Sequence, residues 1–296
     1  MGNSKVYAVV LVGGKGKRLR PLSTAALPKA FLSITKDRKT MFRRTLDRVR
    51  CFAGDSSIIV VANKAHKKLV MKDFPKIAEK NLLLEPVSRN TAPAITLAAA
   101  TVEKIAPGAA MAVLPTDQYI TEKKKFVDSV QRGMKFVKTN PGAIVVLGVK
   151  PRYPSVHFGY IKIGGKTVGG GVGIKKVGKF VEKPDKPKAE KYIKSGQYLW
   201  NTGAFIFKAQ TMLDLVKKLE PRIYNAIVGS GKMEKGYRAS PDISIDYAVI
   251  EKARSIYCVE ARYEWHDLGG FESLIKILMR EGRKFNMKGG KVVRIK

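Results

Sequence analysis

Through the first half of the chain, short apolar runs rich in β-branched side chains alternate with segments whose apolar residues recur at helical spacing. Val6–Val12, Ser57–Ala62, Asn81–Leu84, Ala110–Leu114 and Ala143–Val149 read as buried strands. Between them, Thr40–Arg50, Ala65–Lys72, Ala92–Lys104 and Lys124–Thr139 pattern as helices. A strand that must return beside its predecessor in the same direction needs a crossover, and a helix is the usual one. The order therefore predicts an α/β domain with a largely parallel sheet covered by helices.

The second half is less regular. Tyr160–Ile163 and Val177–Val181 read as strands around a Gly-rich turn at Gly164–Gly173. Pro184–Ser195 and Thr211–Leu219 pattern as helices, Ala204–Lys208 as a strand, and Asn201-Thr202-Gly203 as a turn before it. Glu272–Arg283 patterns as a last helix, followed by a short basic strand at Gly290–Ile295.

The chemistry begins where the first strand ends. Glycines at 13, 14 and 16 let the backbone turn sharply and present N–H groups to a bound oxyanion, and Lys15, Lys17 and Arg18 add positive charge there. Arg18 follows Lys17, so the Ser or Thr of a Walker loop is missing, and Leu19 breaks the dinucleotide G-x-G-x-x-G pattern. What remains is a phosphate-binding loop of another kind. An excess of 57 Lys and Arg over 24 Asp and Glu, +33 in net charge, suits phosphorylated substrates. It also admits nucleic acid as a partner, but no aromatic-interleaved RNA motif or zinc-finger spacing accompanies it.

Gly13–Ser23 followed by Leu27–Phe31 resembles the signature G-G-x-G-x-R-L-x-P-L…P-K of the sugar-1-phosphate nucleotidyltransferases. The resemblance implies a Rossmann-like nucleotidyltransferase domain with a mixed, mainly parallel central sheet flanked by helices. It spans residues 1–271, with a C-terminal helix and short tail over 272–296. Leu11, Gly13, Gly14 and Lys15 are then expected to hold the nucleotide. Arg18 would bind the departing pyrophosphate, and Lys29 would neutralise charge around the α-phosphate.

Leu84–Ile95 is similar to the E-P-x-x-R-N-T-A-P-A-I segment of mannose-1-phosphate guanylyltransferases, implying GTP and mannose 1-phosphate as substrates. The same resemblance places Asn90 and Thr91 among the nucleotide-binding residues, although they stand at a helix start, where capping alone would account for them. Glu85 could accept the two donors on one edge of guanine, or simply neutralise Arg89. Gly159, Glu182, Lys183 and Asn201 come in the family's order for the sugar-phosphate pocket. Asp117 and Asp267 correspond to the family's metal ligands, and their hard oxygens suit Mg²⁺ or another divalent cation. Gln118 stands where the family has His, and His266 where it has Ser or Asp. The same motifs leave open glucose 1-phosphate with another nucleotide, or a regulatory homologue without turnover.

His66, His157 and His266 have no metal-binding spacing, so zinc is not expected. Cys51 and Cys258 both neighbour apolar residues, which predicts two buried free thiols in a reducing compartment. Val6–Val12 is too short for a membrane span and no targeting pattern precedes it, so the expected setting is the cytoplasm without membrane association. Family members often continue into a β-helix segment that aids oligomerisation. Gly290–Ile295 corresponds to its beginning, which leaves a homodimer as an open expectation.

Overall fold

The computed structural model describes residues 6–14, 16–168, 173–230 and 233–296. The N-terminal half builds strands β1 (Val6–Val12), β2 (Ile58–Asn63), β3 (Leu82–Glu85), β4 (Ala110–Pro115), β5 (Gln118–Ile120) and β6 (Ile144–Val149). Its helices are α1 (Met41–Val49), α2 (Lys67–Asp73), α3 (Thr91–Ile105) and α4 (Lys123–Thr139). Strands β7 (Tyr160–Val168), β8 (Ile174–Val181), β9 (Tyr198–Lys208), β10 (Ile256–Glu260), β11 (Trp265–Asp267), β12 (Phe285–Lys288) and β13 (Lys291–Ile295) follow. Between or after them come α5 (Lys186–Ser195), α6 (Ala209–Leu219), α7 (Pro221–Tyr224), α8 (Met233–Ala239) and α9 (Phe271–Arg280). Among the described residues, no helix is long and apolar enough to cross a membrane.

The central sheet has the order β3-β2-β1-β4-β9-β6-β10-β8-β7 and is mixed. Parallel pairing holds across β3-β2-β1-β4 and between β6 and β10, while β9 runs antiparallel to both β4 and β6. After β1 the chain adds β2 and β3 on one side, then crosses to place β4 on the other. A crevice opens where the winding reverses, at the carboxyl ends of β1 and β4. Gly13-Gly14 and Thr116-Asp117 stand at that point.

Side-chain alternation assigns the two faces. Ala8, Val10 and Val12 join Phe42, Leu46 and Val130 on one side. Tyr7 and Val9 join Ile95, Ala98 and Met212 on the other. Burying one such Val or Leu contributes about 1.5–3 kcal/mol, so a sheet apolar on both faces needs helices on both. Helix α4 approaches closely because Gly133 faces Ile206, whose Cδ1 would lie 2.4 Å from a Cβ there. A third cluster, including Leu19, Ile34 and Tyr119, seats α9 and Val292 of the β12–β13 hairpin.

Strand β9 departs from the sequence reading. It begins at Tyr198, so Asn201-Thr202-Gly203 lies inside the strand, where its pairing with β6 shifts register and Gly203 takes φ +73°. A bulge, and not a turn, uses these residues. Cys258 is buried as expected, but Cys51 is exposed: it follows α1 on a turn whose neighbours Val49 and Ala53 face the core.

Candidate active site

The phosphate loop is held from beneath. Gly14 has φ +90°, and a Cβ there would sit 3.0 Å from Lys29 Cε, so the loop lies directly over the lysine stem. Gly16, at φ +58°, starts a single 3-10 turn over Lys17–Leu19, and Ser23 Oγ donates to its carbonyl at 2.6 Å. Lys15 lies outside the described residues. Lys29 Nζ, nearly buried, forms an ion pair with Asp117.

Asp117 and Asp267 are brought together by pairing that the sequence does not announce. Strands β5 and β11 form a small antiparallel sheet with Asp267 opposite Gln118, and the Leu268 amide donates to the Asp117 carbonyl at 2.8 Å. Gln118 donates through Nε2 to the Thr202 carbonyl, tying this small sheet to β9. His266 Nε2 lies 2.9 Å from Glu264 Oε1. Neither departure from the family pattern displaces an aspartate.

Electrostatics show how tightly the group is coupled. Burial, and then the charge of Asp117, push the Asp267 carboxyl up to about 7, although Lys29, Arg18 and Lys183 pull it down. Burial alone would lower Lys29, but Asp117 and Asp267 together hold its pKa above the ordinary lysine value. Two coupled carboxylates with cations around them offer an all-oxygen donor pair of the kind that suits a hard divalent cation. Among the described residues there is no cluster of three or more His, Cys, Asp or Glu, so bound phosphates and water would complete the coordination.

Three cavities meet here. The first, about 380 Å³, is lined by Leu11, Gly13, Glu85, Asn90, Thr91 and Asp117. It shares Gly14 with a second of about 350 Å³ that holds Lys17, Arg18 and Lys29. Arg18 and Gly269 continue into a third of about 480 Å³, walled by Tyr153, Phe158, Trp200 and Trp265 with Asp267 at its edge. The aromatic rings meet edge to face, Phe158 against Trp265 with centroids 5.1 Å apart.

In the first cavity Glu85 is 6% exposed and accepts a hydrogen bond from Tyr237 on α8. Arg89 donates instead to the Arg238 carbonyl, so Glu85 and Arg89 do not pair. Burial raises the Glu85 pKa, and the Tyr237 hydrogen bond partly offsets this. Asn90 and Thr91 do perform capping-type work: Asn90, at φ +64°, accepts from the Thr91 amide, and Thr91 Oγ1 accepts from the Ile245 amide at 2.9 Å. Both nonetheless line the cavity wall.

Gly159, Glu182, Lys183 and Asn201 are also assembled, around an acid that sequence reasoning missed. Asp246 accepts from Asn201 Nδ2 at 3.0 Å, while Asn201 Oδ1 accepts from the Gly203 amide at 3.0 Å, which orients the Asn201 side chain. Asp246 is partly buried, and burial followed by the charge of Glu182 pushes its carboxyl up to about 7. Lys183, at φ +47°, pairs with Glu182. A Cβ on Gly159 would lie 2.5 Å from Glu182 Oε2 and 3.3 Å from Asn201 Cβ. Gly159→Ala is therefore expected to displace Glu182 and to lower turnover about 10- to 100-fold, as misplacements of about 1 Å do, with the fold retained. Circular dichroism and a rate assay on one preparation would check this; wild-type turnover would mean that Glu182 yields freely. Tyr237, Asp246 and Trp265 were all invisible locally, because each gains its role only from a partner distant in sequence.

The nucleotidyl transferase family model matches residues 7–283. Over 294 residues the chain is 35% identical to a mannose-1-phosphate guanylyltransferase of Escherichia coli, covering 94% of this chain and 60% of that protein. It is 36% identical to the alginate biosynthesis protein AlgA of Pseudomonas fluorescens, covering 90% of this chain and 57% of that one. The chain thus spans about 60% of the length of these curated relatives. A solved structure from Thermus thermophilus, described as a mannose-1-phosphate geranyltransferase, superposes with a TM-score of 0.83 at 32% identity. It covers 92% of this chain and 79% of that one. A Helicobacter pylori structure described as a mannose-6-phosphate isomerase gives 0.72 at 26% identity, covering 89% of this chain and all of that one. On the motif loop, the fold and these matches together, the chain belongs to the nucleotidyl transferase family.

Proposed function

We propose that the chain transfers a guanylyl group from GTP to mannose 1-phosphate, releasing pyrophosphate and forming GDP-mannose. The observation that carries this reading is the junction itself: Lys29, Arg18, Asp117 and Asp267 stand where a nucleotide-sized cavity, a cationic cradle and an aromatic cavity join. The name of the Escherichia coli relative, together with Glu85 on the wall of the first cavity, favours GTP and mannose 1-phosphate. The catalytic unit on this reading is residues 1–271.

A phosphate monoester is already largely ionised at neutral pH, so its oxygen needs no general base to attack the α-phosphorus. The bond from that phosphorus to the bridging oxygen breaks, and the electron pair leaves with pyrophosphate. The protein's task reduces to alignment and charge neutralisation. Gly13 and Gly14 hold the nucleotide with Leu11, while Asn90 and Thr91 shape its cavity. Lys29 faces the α-phosphate, and Arg18 takes the leaving pyrophosphate. Lys183 receives the sugar phosphate, with Glu182 and Asn201 placed for sugar hydroxyls and Gly159 leaving them room. Asp117 and Asp267 would hold Mg²⁺, which supplies additional positive charge against the phosphates when bound. Nothing in this scheme calls for nucleic acid, a membrane or a second copy of the chain, and the cytoplasm, where both substrates are phosphorylated metabolites, is its setting.

Pyrophosphate release with Mg²⁺ is the direct test, using GTP, ATP, UTP and dTTP against mannose 1-phosphate and glucose 1-phosphate. Release is expected to be fastest with GTP and mannose 1-phosphate, by at least about 10²-fold, because a buried hydrogen-bonding site rejects a base lacking the matching groups. Faster release with another pair would keep the chemistry and overturn the substrates; none with any pair would overturn the enzyme reading.

A further inference from the structure

One residue on the wall of the nucleotide cavity, Glu85, is held from behind by an element that carries none of the family motifs. Helix α8 is pressed onto the π-helical turn Asn225–Gly229 so closely that a Cβ on Gly236 would lie 1.8 Å from the Ala226 carbonyl oxygen. The next residue, Tyr237, is fully buried, and its hydroxyl donates to Glu85 Oε1. Arg89, four residues beyond Glu85, donates to the carbonyl of Arg238. The end of β3 and the loop after it are thus clasped to α8 at two successive residues. One clasp is a carboxylate that lines the cavity.

We infer that Tyr237 is the positioning residue for base selection: its hydroxyl holds Glu85 as an acceptor-only group aimed at a purine carrying donors on its N1–C2 edge. This rests on the proposed use of GTP. Guanine presents N1–H and the exocyclic amine to such a carboxylate, hypoxanthine only N1–H, and adenine an unprotonated N1 that an ionised carboxylate repels. Burial disfavours the charged form of the Glu85 carboxyl and raises its pKa; the tyrosine hydrogen bond acts in the opposite sense. Burial and the facing Glu85 also keep the phenol itself firmly protonated, so it serves only as a donor to Glu85. Tyr237 occupies Oε1, which leaves Oε2 without that bond and available to the cavity. Selectivity therefore depends on a residue 152 positions further along the chain, on a helix whose approach requires a glycine.

The test compares GTP with ITP, which lacks only the amine, and with ATP, at saturating mannose 1-phosphate. Tyr237→Phe removes one hydroxyl and keeps the ring. The expected result is a KM for GTP raised about 10-fold, a smaller rise for ITP, and a GTP-to-ITP preference in kcat/KM reduced at least about 5-fold, with the loss in KM more than in kcat. A structural loosening would instead raise both KM values together and leave the ratio intact; that outcome overturns the inference. Glu85→Gln keeps an oxygen for Tyr237 while adding a donor, so it guards against a Tyr237→Phe protein that does not fold. It should lose the same preference, and full GTP-over-ITP preference in Glu85→Gln would also overturn the inference. The double variant should lose no more than either single one if both act through the same contact. Failure of the underlying reading looks different, since the wild-type protein would then not favour GTP with mannose 1-phosphate at all.

Discussion

Asp267→Asn is expected to release pyrophosphate about 10³-fold more slowly than wild type, yet to melt at a higher temperature at pH 8. The asparagine has the same shape and removes only the charge. On the proposed function the rate falls because one of the two carboxylates that would hold Mg²⁺ disappears, and with it a fixed charge beside Lys29 and Arg18. The gain in stability follows from the raised Asp267 pKa. Burial and Asp117 together outweigh the attraction of Lys29, Arg18 and Lys183, so the native state holds a proton on Asp267 more tightly than an unfolded chain does. A group raised in this way contributes its stabilisation fully below the unfolded value, about 4 for an aspartate. That contribution is lost as pH rises through about 7. Above that range the ionised carboxylate is a cost to the empty protein. The asparagine avoids it, by about 1–3 kcal/mol after allowance for the coupling to Asp117. Melting curves at pH 5 and pH 8 without metal should show the variant's advantage growing with pH. A variant that melts lower at pH 8 would mean that the surrounding cations dominate and that the acid pair is held ready at no cost.

How much of this could be read from the chain depends on how local each feature is. The glycine loop is legible as a candidate phosphate site because its signs lie in consecutive residues: glycines that turn, an arginine and a lysine beside them, a buried strand before them. Lys29 and Glu85 could be named because each sits inside a compact motif. The clustering of Asp117 with Asp267 could be carried over only from the family pattern, since it depends on β5 pairing with β11 across more than a hundred residues. Asp246 and Tyr237 had no local sign at all. An aspartate near a helical turn and a tyrosine in a charged helix are ordinary until Asn201 and Glu85 arrive beside them. The turn assigned to Asn201-Thr202-Gly203 failed for a related reason. Asn and Gly mark any departure from regular backbone, and only the partner strand decides between a turn and a bulge. Cys51 shows the same limit for burial, because apolar neighbours in sequence do not say which way a turn residue faces.

Lys29→Met should produce the opposite stability signature, and the contrast tests the coupling of the whole cluster. Methionine preserves the unbranched stem over which Gly14 passes, so packing is nearly retained and the ammonium alone is lost. Its removal leaves Asp117 without its ion-pair partner and Asp267 with one cation fewer. Breaking a buried pair on one side costs about 3–5 kcal/mol; because Asp117 keeps some contact with solvent, about 2–3 kcal/mol is expected at pH 8. The two carboxylates then repel with less compensation, and the pair as a whole binds protons more readily than in the wild type. As pH falls through the raised value of Asp267 the repulsion is discharged. The deficit should therefore shrink toward pH 5, whereas loss of stem packing would give a deficit independent of pH. On the proposed function turnover should fall about 10²- to 10³-fold, since the ammonium that would stand beside the reacting phosphate is lost. Lys29→Arg separates charge from shape. It should recover most of the stability at pH 8 and little of the rate, because the planar guanidinium cannot place a single compact charge in the space beneath Gly14. Recovery of full turnover by arginine would show that any nearby positive charge suffices, and that the close packing of the loop on the lysine stem is not what aligns the phosphates.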